Sequence, residues 1–86
     1  MTEVLQQGQE ARIIEWCADY VGRALNIDPA RVGPDEELDS FGLDSAVLTS
    51  MLIEMEEWLG VDIPPSVLFS QSTLRGVAGE VAGRLA

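Results

Sequence analysis

The sequence contains no lysine and no histidine, and its only cysteine is Cys17. Without histidine, the chain lacks the side chain that most often acts as a general base near neutral pH. Without a second cysteine, it has neither an internal disulfide nor a recognisable ligand set for zinc. These absences argue against an independent enzyme and a zinc site, and they indicate a fold stabilised by packing alone in a reducing compartment.

Long hydrophobic runs are also missing. No apolar stretch approaches the roughly 20 residues that a membrane-spanning helix needs. The N-terminal residues Met1, Thr2 and Glu3 lack the basic stretch and hydrophobic block of a signal peptide. We therefore expect a cytoplasmic protein with no membrane partner. Its 86 residues leave room for one compact domain, 1–86.

Positive charge is scarce, since 5 arginines face 15 acidic residues and the net charge is −10. No basic residue lies between Arg31 and Arg75. The acidic residues of that stretch are Asp35, Glu36, Glu37, Asp39, Asp44, Glu54, Glu56, Glu57 and Asp62. Such a field disfavours nucleic acid, discourages self-association and raises encounter rates with basic partners. We expect a monomer that binds enzymes with basic docking surfaces.

Apolar residues at three- and four-residue spacing predict three main helices and one short helix, at about 9–25, 44–59, 65–70 and 73–85. Gly8 lies among glutamines and weakens the first turns, so residues 1–9 could be flexible. Asp44 and Gly60 suit the two ends of the second helix, and Thr73 suits the start of the last. Pro65 is placed in the first turn of the short helix. The pattern indicates an all-α, four-helix bundle.

The long connection from Asn26 to Gly42 consists of turn and loop residues. A loop of this length in a small domain is usually functional or held by its own apolar residues. The residues that could hold it are Ile27, Val32, Leu38, Phe41 and Leu43.

A helical wheel divides the second helix into a buried and an outward face. The buried stripe contains Leu48, Leu52, Met55 and Leu59, with Val47, Met51 and Trp58 beside it. The outward face contains Ala46, Thr49, Ser50, Ile53, Glu56 and Glu57. An isoleucine among exposed acidic residues suggests contact with a partner, although a lone exposed apolar residue often has no role.

Ser45 is placed in the first turn of this helix, after Gly42, Leu43 and Asp44. Free backbone N–H groups and the positive end of the helix dipole at such a position suit a phosphate. By position alone, a serine there is ordinarily just a capping residue.

The motif Gly42-Leu43-Asp44-Ser45, followed by an amphipathic helix that ends at Gly60, resembles the attachment motif of acyl and peptidyl carrier proteins. The resemblance covers nearly the whole chain in order and spacing. Its other stretches are Ile27-Asp28-Pro29, Asp35-Glu36-Glu37-Leu38, Val61-Asp62-Ile63-Pro64-Pro65, Leu68-Phe69 and Thr73-Leu74. The Glu57-Trp58-Leu59-Gly60 ending and Pro64-Pro65 resemble carrier domains of modular polyketide and lipid assembly lines.

The resemblance implies that Ser45 receives a covalent 4′-phosphopantetheine arm from coenzyme A. A separate phosphopantetheinyl transferase would catalyse this reaction, and Gly42, Leu43 and Asp44 would complete the cofactor-binding motif. The thiol of the arm would carry an acyl intermediate as a thioester for polyketide or fatty-acyl biosynthesis. The tether would hold that group at high effective concentration near acyl-loading and acyl-processing enzymes. The domain itself would catalyse nothing.

The resemblance also places partner contacts on the second helix, at the residue directly after the serine and at another eight residues on from the serine. Those positions are Ala46 and Ile53 here, and Glu56 and Glu57 share their face. Ala46 is smaller than the Leu, Ile or Met more common in the family. Ser72 replaces a common proline before Thr73.

Three other interpretations can be weighed against the carrier function. The chain could be a peptidyl carrier domain, or an acidic docking module without an arm in which Ser45 only caps a helix. A calcium loop starting at Asp35 fits poorly, because its sixth residue is Ser40 instead of glycine and its twelfth is Ala46 instead of glutamate. We expect no metal site, and we expect Cys17 to be a buried, inert thiol on the apolar stripe of the first helix.

Overall fold

The computed structural model describes the backbone of residues 2–85 and the side chains of residues 8–85. Four α-helices follow one another: α1 Thr2–Leu25, α2 Ser45–Leu59, α3 Val67–Ser70 and α4 Leu74–Leu85. Short 3-10 helices at Pro29–Arg31 and Leu38–Phe41 interrupt the connection between α1 and α2. Within 2–85 there is no strand, only an isolated bridge between Glu37 and Thr73. The predicted all-α class with three main helices and a short one is confirmed.

The ends of α2 and the start of α4 are where the sequence places them. The Val47 amide donates to Asp44 Oδ1 at 2.9 Å and so caps α2. Gly60 ends α2 in the left-handed region at φ 71°, and its amide donates to the Glu56 carbonyl at 2.7 Å. The Gly76 amide donates to Thr73 Oγ1 at 3.0 Å at the start of α4.

Two helix starts differ from the expected ones. Helix α1 begins at Thr2 instead of near Gln9. A glycine costs an exposed helix only about 1 kcal/mol relative to alanine, which is too little for Gly8 to end it. Helix α3 begins at Val67 instead of Pro65. The carbonyls of Pro64 and Pro65 accept three-residue turn bonds, and the first α-helical bond runs from the Ser70 amide to the Ser66 carbonyl at 3.0 Å.

The core lies where α1, α2 and α4 meet and is closed by α3 and by the connection before α2. Its buried residues are Ile13, Cys17, Val21, Val32, Leu38, Met51, Leu52, Met55, Ile63, Val67, Leu74, Val77, Ala78, Val81 and Ala82. The prediction that Cys17 is buried is confirmed, and burial raises the pKa of its thiol to about 12, which keeps it protonated. Val32 and Leu38 hold the α1–α2 connection to this core. Ile27 does not, because it is exposed.

The connection before α2 is also attached to the start of α4. The Leu38 amide donates to the Ser72 carbonyl at 2.8 Å, and the Arg75 amide donates to the Pro34 carbonyl at 2.9 Å. Arg75 Nε donates to Asp35 Oδ1 at 2.6 Å, and this hydrogen bond lowers the pKa of the Asp35 carboxyl. These bonds fix the path of the chain as it approaches the start of α2. None of the helices in the described part of the chain has the length and hydrophobicity to cross a membrane.

Candidate functional site

The chain makes a sharp turn just before α2 and leaves Ser45 exposed as the first helical residue. Gly42 has a φ of 71°, which glycine adopts without strain, and it ends the 3-10 helix Leu38–Phe41. Leu43 packs against the core, so the turn is anchored. Asp44 is extended and caps α2. Each residue of the Gly42–Ser45 motif therefore has a structural role in presenting the Ser45 side chain to solvent.

The start of α2 offers hydrogen-bond donors beside the Ser45 hydroxyl. Asp44 already accepts from the Val47 amide, whereas the Ser45 and Ala46 amides make no hydrogen bond within residues 8–85. Unpaired first-turn amides and the helix dipole favour an anion at this position. A phosphodiester on Ser45 would fit, since it would be exposed and close to both amides. The structure thus gives the residues of the motif an arrangement that can hold a phosphopantetheine group.

An open groove of about 440 Å³ runs between α2 and α3, and Ser45 is one of its lining residues. Its apolar lining residues include Leu43, Leu48, Leu68 and Phe69, and the acidic residues Glu37 and Asp39 line it as well. Phe69 is 90% exposed, more than any other large hydrophobic residue described. This residue and the groove were not predicted as part of the site. A four-residue helix is too short for periodicity to show which side chains face outward.

A larger depression of about 520 Å³ lies on the other side of α2, against α1, and Ser45 does not line it. Its polar residues include Tyr20, Arg23 and Glu54. Burial raises the pKa of the Tyr20 hydroxyl, and the nearby Glu54 carboxylate acts in the same direction. Ala46 also lines this depression, so the residue after Ser45 faces away from the groove.

The outward face of α2 is close to the one predicted. Ala46 and Glu57 are exposed, Ile53 is 51% exposed, and Glu56 is half-buried at the edge of the face. The adjacent Leu52 is only 1% exposed, so the rotation of the wheel is confirmed. These residues form one surface, but their contact with a partner remains a prediction.

The prediction that Trp58 lies on the buried side of α2 is wrong, because its side chain is 40% exposed at the rim of the bundle. Its ring stacks on that of Trp16 in α1, with centroids 5.3 Å apart and an interplanar angle of 9°. One face of a large ring is therefore covered while the rest stays in contact with water.

Among the described residues, no group of three or more histidine, cysteine or acidic residues could hold a metal ion. The first acidic residue of the calcium-like stretch, Asp35, is directed at Arg75 instead. The acidic residues of this region therefore act as separate surface charges and an ion pair.

The comparisons with known proteins agree with this geometry. The family described as "Phosphopantetheine attachment site" matches residues 15–81. Acyl carrier protein TtuC of Teredinibacter turnerae is 24% identical over 70 residues, which cover 81% of this chain and 80% of that protein. Polyketide synthase PksN of Bacillus subtilis is 32% identical over 59 residues, which cover 69% of this chain but only 1% of the synthase.

A solved structure shows the same fold. The free-standing peptidyl carrier protein from an Acinetobacter baumannii secondary metabolic pathway superposes with a TM-score of 0.77 at 23% identity. The match covers 94% of this chain and 96% of that one. The helical bundle and the exposed serine at the start of α2 agree with the family match over residues 15–81. The chain therefore belongs to the phosphopantetheine attachment family of carrier domains, which carry covalently attached 4′-phosphopantetheine.

Proposed function

We propose that this chain is an acyl carrier domain that holds a thioester-bound intermediate on a 4′-phosphopantetheine arm at Ser45, for polyketide or fatty-acyl biosynthesis. The observation that supports it most strongly is the exposed side chain of Ser45 at the start of α2, directly after the Asp44 cap and within the matched residues 15–81. The hydroxyls of two other serines already donate hydrogen bonds within the fold. Ser40 Oγ donates to the Glu37 carbonyl, and Ser70 Oγ donates to the Val67 carbonyl and to Glu80.

In this proposal, Ser45 Oγ attacks the pantetheine-bearing phosphorus of coenzyme A and forms a phosphodiester. The pyrophosphate P–O bond of coenzyme A breaks, and adenosine 3′,5′-bisphosphate leaves. A separate transferase catalyses the reaction and takes up the serine proton. The amides of Ser45 and Ala46 stabilise the phosphate charge. Asp44 holds the first turn of α2 in place. When bound, the arm supplies the thiol that carries the acyl group. The chain's own residues hold and present the arm, and partner enzymes perform the chemistry.

The proposed partners are the transferase and the enzymes that load and process the acyl group. We assign to these enzymes the surface on α2 that is formed by Ala46, Ile53, Glu56 and Glu57. This surface flanks Ser45 and combines an apolar side chain with two carboxylates. A basic enzyme surface would be steered to it by charge and held by Ile53. A carrier that visits several enzymes needs such small, transient contacts.

An acyl cargo is favoured over a peptidyl one by the names of the relatives. TtuC is an acyl carrier protein, and PksN is a polyketide synthase. The peptidyl carrier protein from Acinetobacter baumannii supports only the shared fold, because its identity is 23%. Mass analysis of the protein recovered from its host tests this choice, since the attached group identifies the class. An aminoacyl or peptidyl group would favour the peptidyl alternative.

The attachment itself is tested by incubating the protein with coenzyme A and a broad-specificity phosphopantetheinyl transferase, followed by intact mass measurement. The parent should gain one phosphopantetheinyl group, and Ser45→Ala should gain none while keeping its helical circular dichroism. Ser50→Ala is the matched control, because Ser50 is also exposed on α2. It should be modified like the parent. If the parent stays unmodified with several transferases, the docking-module interpretation is preferred.

A further inference from the structure

Phe69 of α3 is an apolar side chain that the fold does not use. It is 90% exposed, and it is absent from the residues that pack on the core, whereas its neighbour Leu68 is among them. Removing a phenylalanine side chain from water is favourable, because the hydrophobic effect scales with the apolar area that is buried. The fold leaves the Phe69 ring in contact with water, so burial of this ring can stabilise a complex with a partner.

Phe69 lies on the same groove as the serine to be modified. Ser45 and Phe69 both line the groove between α2 and α3, together with Leu43, Leu48 and Leu68. An enzyme that brings coenzyme A to the Ser45 hydroxyl has to cover this side of the carrier. Its footprint is therefore continuous with Phe69.

Phe69 lies in an uncharged segment of the chain, and two acidic residues of the preceding loop line the same groove. Residues 64–72, which contain α3 and its flanking turns, have no charged side chain. The outward face of α2, on the neighbouring side of Ser45, bears Glu56 and Glu57. Glu37 and Asp39 line the groove that Ser45 and Phe69 share, and Glu80 accepts a hydrogen bond from Ser70 of α3. A complementary enzyme would therefore combine basic areas for these carboxylates and for α2 with an apolar pocket for the Phe69 ring.

We propose that Phe69 is a docking residue for the phosphopantetheinyl transferase and that its ring inserts into an apolar pocket of that enzyme. This inference rests on the proposed attachment at Ser45. It adds α3 to the partner surface assigned to α2. It also separates two kinds of contact: steering by the carboxylates of α2, and an apolar contact at Phe69 that salt does not screen.

The experiment compares the modification rates of the apo-protein, Phe69→Ala and Ile27→Ala with coenzyme A and a broad-specificity transferase. Ile27 is the matched control, because it is an exposed apolar residue that does not line the groove. Phe69→Ala should lower kcat/KM by about 10-fold or more, as expected for an aromatic hot spot. The loss should be similar at roughly 0.05 M and 0.5 M salt, where the screening length differs several-fold. Ile27→Ala should stay within about twofold of the parent.

A binding readout separates docking from chemistry. Ser45→Ala cannot accept the arm, so it should act as a competitive inhibitor of parent modification, and Ser45→Ala/Phe69→Ala should inhibit much less. Phe69→Leu retains apolar contact and should recover most of the rate. Unchanged circular dichroism is expected for every variant, because the substituted residues Ser45, Phe69 and Ile27 are all exposed and outside the buried core.

Several results would overturn the inference. One is a parent that gains the arm while Phe69→Ala is modified at the same rate and competes equally well. Another is a concentration-dependent dimer that Phe69→Ala converts to a monomer, which would identify a second copy as the occupant. A third is an NMR result in which the signals of Leu43, Leu68 and Phe69 shift when the arm is attached but do not shift when transferase is added to Ser45→Ala. The arm itself would then be the occupant of the groove. A parent that never gains the arm would instead refute the proposed function.

Discussion

Truncation to alanine should have very different effects on stability at two neighbouring positions of α2, because Leu52 is 1% exposed and Ile53 is 51% exposed. Leu52→Ala should destabilise the domain by about 2–5 kcal/mol, since it removes buried methyl groups and leaves a cavity. A domain of this length has a total stability of roughly 4–13 kcal/mol. The substitution therefore removes a large fraction of it.

Ile53→Ala should cost about 0–1 kcal/mol. Fully burying an isoleucine stabilises by about 1.5–3 kcal/mol, but half of this side chain is already in water. Alanine also has the better helix propensity, by a few tenths of a kcal/mol, which offsets part of the loss. The two changes differ by only one position, so composition and helix location are closely matched.

Urea unfolding followed by circular dichroism at 222 nm measures both effects. For a small domain the m-value is about 1–1.5 kcal/mol/M, so a loss of 3 kcal/mol lowers the midpoint by roughly 2–3 M. Leu52→Ala should show this shift or be unfolded in buffer, and Ile53→Ala should stay close to the parent. A parent-like Leu52→Ala together with a collapsed Ile53→Ala would mean that the face assigned to partners is the buried one.

Three further expectations concern the cap, the docking charges and the loop. Asp44→Ala should cost about 0.5–2 kcal/mol in urea unfolding, because the Val47 amide loses its acceptor; an unchanged midpoint would contradict the capping role. Replacing Glu56 and Glu57 by Lys should slow modification of the folded protein by a basic transferase, and the penalty should shrink as salt rises; a salt-independent penalty would argue against steering. The pKa of Asp35 is lowered by its bond to Arg75, so any stability it contributes is present above about pH 4 and lost as pH falls through the lowered value. Asp35→Asn should be less stable than the parent near pH 7 and equal to it in strong acid; a constant difference would exclude this pair as the cause.

The long helices could be predicted from sequence because their apolar residues repeat over several turns. Leu52 and Met55 lie in the core as the wheel predicts, and Asp44 and Gly60 mark the ends of α2. Each conclusion rests on a local rule, either periodicity or capping chemistry, that needs no knowledge of distant residues.

The features that could not be predicted depend on distant parts of the chain. Trp58 lies at the rim because its ring stacks on Trp16, more than 40 positions earlier in the sequence. The connection before α2 is joined to the start of α4 by two backbone hydrogen bonds, from the Leu38 amide to the Ser72 carbonyl and from the Arg75 amide to the Pro34 carbonyl. Whether Phe69 or Leu68 faces outward depends on how a single turn of helix lies over the core. Spacing along the sequence carries no information about these arrangements.

Ser45 lies between two surfaces of different chemistry, and this arrangement fits a carrier that has to be released by each enzyme it visits. One surface, on α2, combines a half-exposed isoleucine with carboxylates. The other, at the groove along α3, presents the highly exposed ring of Phe69, and Glu37 and Asp39 also line that groove. Neither is large enough alone to bind tightly, because affinity at small interfaces comes from a few buried side chains. An enzyme that uses only α2 should lose the carrier as salt rises, whereas an enzyme that also covers Phe69 should retain it. The salt dependence of each partner would therefore indicate which of the two surfaces it contacts.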